Sequence, residues 1–384
     1  MLAVVLLVGS AFALLVWVGV LVLPWQPHRV RERLEADSSG ADADLSDLTV
    51  LIPARDEAET LGAVVAAVAW QGRALEVLVI DDQSSDGTAD VATRAAAETR
   101  LALRVLTGAP LPVGWAGKLW ALDQGLAAVE RPFVLLLDAD IDLAPGMLPA
   151  LLRALRERQA SLVSIMAELR CAGFWEKLLT PAFVFFFKLL YPFALANDAT
   201  RATAAAAGGC ILLRTKDLRA IGGFAAIRGA LIDDCTLAAR IKGNGGKIWL
   251  GMSHSVRSLR AYPRLDDFWQ MVSRTAFTQL RYSLPLLLLA TVLLALTLLL
   301  PLAASAAGAL RLEPSLGVAL AALAWLAASA AYWPTVGFYR LRPVWALTLP
   351  LAAALFLAMT WGSAFGYWRG TRAAWKNRTY GSTD

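Results

Sequence analysis

The sequence predicts an α/β domain with a mostly parallel sheet, carried between membrane-spanning segments. Three observations point to it. Short apolar runs rich in Val, Ile and Leu alternate with helical patterns from residue 49 to residue 166. Four long stretches carry no charged side chain. Apolar residues make up 58% of the 384-residue chain and charged ones 17%, against about 25% charged in ordinary soluble domains.

The first charge-free stretch, 1–27, exceeds the roughly 20 residues needed to cross a hydrocarbon core. It lacks a basic leader and an A-x-A cleavage site, so it reads as a retained anchor rather than a signal peptide. Arg29, Arg31 and Arg33 follow it, which by the positive-inside bias places the middle of the chain in the cytoplasm and the N-terminus outside. Residues 28–47, with the polar run ADSSGADADLSD at 36–47, read as a juxtamembrane linker.

The α/β domain is expected over 48–283. Its strands are predicted at Thr49–Pro53, Glu76–Asp81, Leu103–Leu106, Phe133–Leu137 and Ser161–Met166, with helices over 58–70, 86–98 and 145–157. Strands of this composition separated by helices imply right-handed crossovers and a sheet covered on both faces. Ligands in such sheets gather beyond the carboxyl ends of the strands. Leu178–Asn197 is apolar except for Lys188. If it crossed the bilayer, the acids at 138–140 and 233–234 would lie on opposite sides, so it is read as an interfacial helix over 178–197, broken near Pro192, with Lys188 snorkelling upward. The charge-free stretches 282–310, 314–339 and 343–368 supply further spans in a C-terminal membrane region, 284–384, that ends in a basic tail. Three such spans put Arg369, Arg372, Lys376 and Arg378 outside, against the bias that orients the first anchor.

Charge excludes several classes of function. Of 36 basic and 31 acidic residues, seven basic and two acidic ones lie in 284–384 and none in 1–23, so residues 24–283 hold 29 of each. The net +5 therefore sits beside the membrane segments, which favours anionic head groups over nucleic acid. Three cysteines (Cys171, Cys210, Cys235) without CxxC spacing and two histidines (His28, His254) do not make a zinc cluster. No GxGxxG follows a strand and no GxxxxGK[ST] occurs, so dinucleotide redox chemistry and P-loop hydrolysis lack their phosphate cradles. A Ser-His-Asp triad would recruit His254 by default, without a nucleophile elbow.

Carboxylates are expected at strand ends in three places. Asp81-Asp82 ends one strand and opens the run Gln83-Ser84-Ser85-Asp86-Gly87-Thr88; Ser84, Ser85 or Asp86 suits a cap on the next helix, while the two acids suit hydrogen bonding to a base or ribose. Asp138-Ala139-Asp140 ends the strand before it, and on an extended chain residues i and i+2 point the same way, so both could converge on Mg²⁺ or Mn²⁺ with substrate phosphates. Asp233-Asp234 precedes the helical run Thr236–Lys242; neighbouring positions face differently, so one is expected to do chemistry and the other to orient or cap. Lys118, in Gly114-Trp115-Ala116-Gly117-Lys118, is a candidate cation for a diphosphate at a helix start.

Together these pieces resemble a family-2 glycosyltransferase with the GT-A fold. The matching residues are Ile52-Pro53-Ala54-Arg55-Asp56-Glu57, the run at 81–88, Gly117-Lys118, Asp138-Ala139-Asp140, Gly208-Gly209, Asp233-Asp234 and Thr278-Gln279-Leu280-Arg281-Tyr282. The wording GWAGKLWAL, LLTPAFVFFF, AAAAGGC, ALIDDCTLA and RSLRAYPR resembles the hopene-associated glycosyltransferases of hopanoid-producing bacteria and, more distantly, ceramide glucosyltransferases. The resemblance implies that Pro53, Arg55 and Glu57 line a nucleotide pocket, with Asp82 near the base or ribose and Asp81 supporting it. It implies Asp138 towards the sugar and ribose, Asp140 on Mg²⁺ or Mn²⁺, Asp234 as general base beside Asp233, and Arg281 on diphosphate or acceptor. Asp233 stands where the family has Glu, and Thr278…Arg281-Tyr282 where it has Gln-x-x-Arg-Trp, so ring stacking passes to Tyr282 and the Gln amide is lost. The implied activity is inverting sugar transfer from a nucleotide donor, UDP-linked by family, to a membrane lipid such as a hopanoid, at the cytoplasmic face of a bacterial inner membrane. A polyprenyl-phosphate sugar synthase, drawing on cations at Arg228, Arg257 and Arg260, and a non-catalytic nucleotide-binding scaffold are the alternatives.

Overall fold

The structure, a computed structural model, describes residues 2–37, 42–311, 315–370, 374–375 and 378–379. Glu313, Arg372 and Lys376 lie outside the described residues. The chain forms an α/β unit, Glu32–Arg170 with Leu195–Ala261, and a helical unit, Met1–Arg31 with Cys171–Ala194 and Tyr262–Arg372.

In chain order the α/β unit contains β1 (Leu48–Ala54), α1 (Ala58–Ala69), β2 (Glu76–Asp81), α2 (Thr88–Thr99), β3 (Leu103–Thr107), α3 (Gly117–Ala127), β4 (Phe133–Leu137), β5 (Ile141–Leu143) and α4 (Met147–Glu157). It continues through β6 (Leu162–Glu168), β7 (Cys210–Arg214), α5 (Thr215–Ala220), α6 (Asp233–Gly243) and β8 (Ile248–Ser258). The eight strands form one sheet in the order β3-β2-β1-β4-β7-β6-β8-β5. Neighbours in β3-β2-β1-β4 and the pair β6-β8 are parallel. β7 is antiparallel to both β4 and β6, and β5 to β8.

All seven residues of β1 are buried, as a strand covered on both faces requires. Alternate residues enter opposite cores: Val50, Ile52, Leu135 and Leu137 pack with Leu61, Val65 and Leu151, while Leu51, Val134 and Leu136 pack with Leu119, Leu122 and Phe224. Each such side chain contributes about 1.5–3 kcal/mol by leaving water. Pro53, which has no N–H to give, falls beyond the last β1–β4 partner, Leu51↔Leu136, so that ladder loses no bond.

The predicted strands at Glu76–Asp81 and Phe133–Leu137 match β2 and β4 to the residue, and the other strands and helices predicted between 49 and 166 end within two residues of the observed ones, while the helix expected at Thr236–Lys242 begins three residues earlier. β5, β7 and β8, the strands that bring in the antiparallel pairings, go beyond the predicted set. Within 28–47, part of the expected linker is built into the sheet unit. Leu34 N–H donates to Met252 O (3.1 Å) and Met252 N–H to Glu32 O (2.8 Å). Glu35 Oε2 accepts from Ser253 Oγ (2.9 Å) and from the N–H groups of His254 and Ser255 (3.0 and 3.1 Å).

Among the described residues the helical unit has four helices long and apolar enough to cross a membrane: Ala3–Val22, Leu284–Leu310, Leu316–Phe338 and Pro343–Trp368. Trp17 Nε1 donates to Thr297 O (2.8 Å) and its ring stacks on Phe185. The apolar segment at 178–197 is two helices, Phe174–Leu190 and Phe193–Asn197, parted at Tyr191 and Pro192. The expectation for Lys188 is corrected. Instead of snorkelling it is 2% exposed, and its ammonium donates to His28 O and Thr335 Oγ1, both at 3.3 Å. Leu178, Leu179, Ala182 and Phe185 pack into the core of this unit, so Lys188 on the same helix finds acceptors inside.

Candidate active site

The ends of β1 and β2 are tied into one loop structure. Asp56 and Gln83 take positive φ (+48° and +58°), which turns the chain sharply after each strand. Arg55 Nη1 donates to Asp82 O at 2.5 Å and to Gln83 O at 3.3 Å. Ser84 Oγ accepts from Asp56 N–H, Thr88 Oγ1 from Glu57 N–H, and Asp86 Oδ2 from Ala58 N–H. The serines thus serve the start of α1 rather than capping α2, whose N-cap is Gly87; Asp86 Oδ1 meets the N–H of Thr88 (3.0 Å). Asp81 is 9% exposed and Asp82 fully enclosed.

The second group gathers around Lys118, near the start of α3. Its Nζ lies 2.5 Å from Asp138 Oδ1 and 3.9 Å from Asp233 Oδ2, and it donates to Gly208 O at 3.4 Å. Asp138 follows β4, Gly208 precedes β7, and Asp233 and Asp234 open α6. The antiparallel β4–β7 pairing explains the meeting, because Asp138 N–H donates to Gly209 O (3.0 Å). A Cβ at Gly208 would lie 3.3 Å from Asp234 Oδ2 and 3.6 Å from Lys118 Nζ, so only glycine leaves this cradle open. Ser164 on β6 braces the segment, its Oγ donating to Ala207 O (3.0 Å) and accepting from Ala207 N–H (2.8 Å).

Burial opposes the charge on Lys118, but the Asp138, Asp233 and Asp234 carboxylates outweigh it and hold the ammonium above the ordinary lysine range. Burial pushes Asp138 up, against the pull of Lys118. Burial and then the neighbouring Asp233 carboxylate push Asp234 up to about 7, although the N–H groups of Cys235 and Gly208 favour its anion. Three carboxylates share one ammonium here, and one of them titrates where a general base operates best.

Asp140 is held differently from Asp138. The chain turns at 138–141, with Ile141 N–H donating to Asp138 O (3.1 Å), so the extended i, i+2 geometry expected of Asp138 and Asp140 is not present. Arg260, just beyond β8, donates from Nε to Asp140 Oδ2 (2.9 Å) and from Nη2 to Glu57 Oε1 (2.8 Å). Among the described residues no three His, Cys, Asp or Glu side chains form a ready-made metal cage. Two strand-end carboxylates are nevertheless the donor set Mg²⁺ or Mn²⁺ uses when phosphates and water complete its shell. The chemistry of this donor set therefore suits such an ion, each carboxylate being paired with a cation here, Asp138 with Lys118 and Asp140 with Arg260.

Residues 46–276 match the family described as glycosyltransferase like family 2. The chain belongs to this family. An uncharacterized glycosyltransferase of Mycobacterium tuberculosis is 35% identical over 117 residues, 30% of this chain and 47% of that protein. The 4,4'-diaponeurosporenoate glycosyltransferase of Staphylococcus haemolyticus is 27% identical over 113 residues, 29% of each chain. The matches thus span half or less of these relatives' length. Among solved structures, a mannosyltransferase from Pyrobaculum calidifontis, in complex with GDP-Man and Mn²⁺, superposes over 94% of this chain and 99% of its own at a TM-score of 0.52 and 18% identity, which shows a shared GT-A-like fold.

In this family-2 chain Arg281 and Tyr282 lie in the helical unit. Both have positive φ (+52° and +55°). The Tyr282 ring stacks on Tyr367 with centroids 4.4 Å apart, and its hydroxyl accepts from Thr278 Oγ1 (3.0 Å). Ser164 is a site residue that spacing does not single out; Arg260 stands out in the sequence only as a cation for a phosphate-bearing acceptor, and nothing local ties it to Asp140.

Proposed function

We propose that this protein is a membrane-bound, metal-dependent, inverting glycosyltransferase that moves a sugar from a nucleotide donor to a hydroxyl of a lipid. The observation that carries the reading is the gathering of Asp138, Gly208, Asp233 and Asp234 around Lys118, beside the carboxyl end of β4, where such folds bind nucleotides.

Asp234 is the base. Its carboxylate takes the proton of the acceptor hydroxyl while that oxygen bonds to the anomeric carbon, and the bond from that carbon to the diphosphate oxygen breaks on the opposite face. Asp233 orients and polarises Asp234, and Lys118 keeps the clustered acids in place. A divalent ion held by Asp138 and Asp140 would neutralise charge on the departing diphosphate. The Mn²⁺ and GDP-Man of the archaeal mannosyltransferase support a metal and a nucleotide sugar; the family resemblance favours UDP. Pro53, Arg55, Glu57, Asp81 and Asp82 surround the nucleotide, Asp82 acting through its enclosed position rather than by direct contact.

Four membrane-length helices and a relative named for 4,4'-diaponeurosporenoate, a lipid-like acceptor, support a lipid substrate. The 178–197 segment then lies at the head-group level, and a hopanoid or related polycyclic alcohol is the acceptor the resemblance favours. Pairing of Arg257 with Asp142 (2.9 Å) occupies one of the cations that a phosphate-bearing acceptor would draw on. Incubating the purified protein with Mn²⁺, labelled UDP-sugars or GDP-Man, and extracted lipids tests the proposal. Label entering the lipid phase supports it, and donor turnover only onto water-soluble acceptors sinks the lipid assignment.

A further inference from the structure

The expected metal ligand Asp140 already has a cation. Arg260 comes from 120 residues away in sequence to reach it, and from 203 residues away to reach Glu57. The two carboxylates are 13% and 12% exposed and the arginine 36%. Ser258 Oγ donates to the same Asp140 oxygen (3.3 Å), and Leu259 N–H to the Asp140 carbonyl (2.8 Å), so the aspartate is fixed in place while the arginine is the more solvent-exposed partner. Two enclosed acids left without a counter-charge would repel each other and pay desolvation unrelieved. A planar guanidinium with several donors meets both at once, which an ammonium cannot do with the same geometry. A divalent ion on Asp140 would share a carboxylate with that guanidinium, two positive centres at close range.

We propose that Arg260 is an exchangeable counter-cation. It holds Asp140 and Glu57 in the metal-free protein and gives up Asp140 when Mg²⁺ or Mn²⁺ binds. The inference rests on the reading of Asp140 as a metal ligand, and it makes Arg260 a positioning residue that competes with the metal, a role distinct from phosphate binding. Competition of this kind sets how much metal is bound before the donor arrives.

The test is Mn²⁺ binding to the full-length, detergent-solubilised protein without donor, followed by the electron paramagnetic resonance of free Mn²⁺. Arg260→Gln is expected to bind Mn²⁺ about three- to tenfold more tightly than the natural protein. Arg260→Lys, which keeps the charge but loses the two-pronged grip, is expected to fall between them, and it carries the test if the glutamine variant does not fold. Asp140→Asn is expected to bind more weakly than the natural protein. Unchanged or weaker binding in both arginine variants, with Asp140→Asn still weakened, overturns the exchange and leaves Asp140 a ligand. Undiminished binding by Asp140→Asn removes the ligand reading, and the exchange with it.

Discussion

At the scale of single residues, the site turns on the difference between Asp233 and Asp234, adjacent acids at the start of one helix. Asp234, raised to about 7, is protonated and idle below that pH and ionised above it. Transfer is therefore expected to rise with pH through about 7 and then level off, falling about tenfold per unit on the acid side. Asp233→Asn removes the neighbouring negative charge that raises Asp234, so the acid limb of kcat/KM should move to lower pH; a limb that stays in place would sever the link between the pair. Asp234→Asn should keep donor binding and lose transfer by about 10²–10⁴-fold, checked by titrating donor fluorescence quenching beside turnover. Gly208→Ala puts a methyl 3.3 Å from Asp234 Oδ2. It is expected to cut turnover by about tenfold or more with little change in melting temperature, because the crowded oxygen belongs to the proposed base.

At the scale of elements, the residues after the first membrane helix act as part of the sheet. Burial works against the Glu35 anion, but hydrogen bonds from Arg33, Ser253, Ser255 and the His254 N–H outweigh it and hold the carboxyl below its ordinary value. Such a group adds stability above its unfolded pKa, and that stability is lost as pH falls through the lower, folded one. Glu35 is only partly covered, so the amount is on the order of 1 kcal/mol or less. Glu35→Gln should flatten the dependence of melting temperature on pH on the acid side of about 4.5, measured by differential scanning fluorimetry; a slope equal to that of the natural protein would place the dependence elsewhere. The same elements show what a sequence discloses. β1, β2 and β4 were legible because two-sided burial makes them continuous apolar runs that stop at acids or a proline. β5 is three residues long, and β8 carries Ser253, His254, Ser255 and Arg257 among its apolar positions, so neither has a run to read. Asp81, Asp82 and Asp138 announced themselves at strand ends, whereas Asp233 and Asp234, expected at a strand end too, open α6 after a loop. Arg260 did not announce its tie to Asp140, because its meaning comes from β8 passing beside the turn at 138–141, a contact only the folded sheet creates. The i, i+2 argument for Asp138 and Asp140 failed for a related reason: it assumed an extended chain where β4 turns into β5.

At the scale of the whole molecule, four membrane-length helices predict an integral protein. It should stay in the membrane pellet after alkaline carbonate washing and leave it only with detergent; release by carbonate or salt would contradict the spans. Reporter fusions at the two termini separate the conflicting charge signals. The first anchor's Arg29, Arg31 and Arg33 predict an external N-terminus, and four crossings return the C-terminus to that same side.

β6 runs parallel to β8, and after the 171–194 excursion Asn197 exchanges two hydrogen bonds with Leu250 of that strand (3.0 and 2.7 Å). Departure and return are therefore moored on one piece of backbone, and the site shares it: Ser164 on β6 holds Ala207 beside Gly208, and Lys242 on α6 donates to Ala196 O (2.7 Å). Between those ends the excursion is packed into the core of the helical unit through Leu178, Leu179, Ala182 and Phe185. A homologue's segment grafted in its place therefore has to keep both moorings and that packing to leave the fold intact.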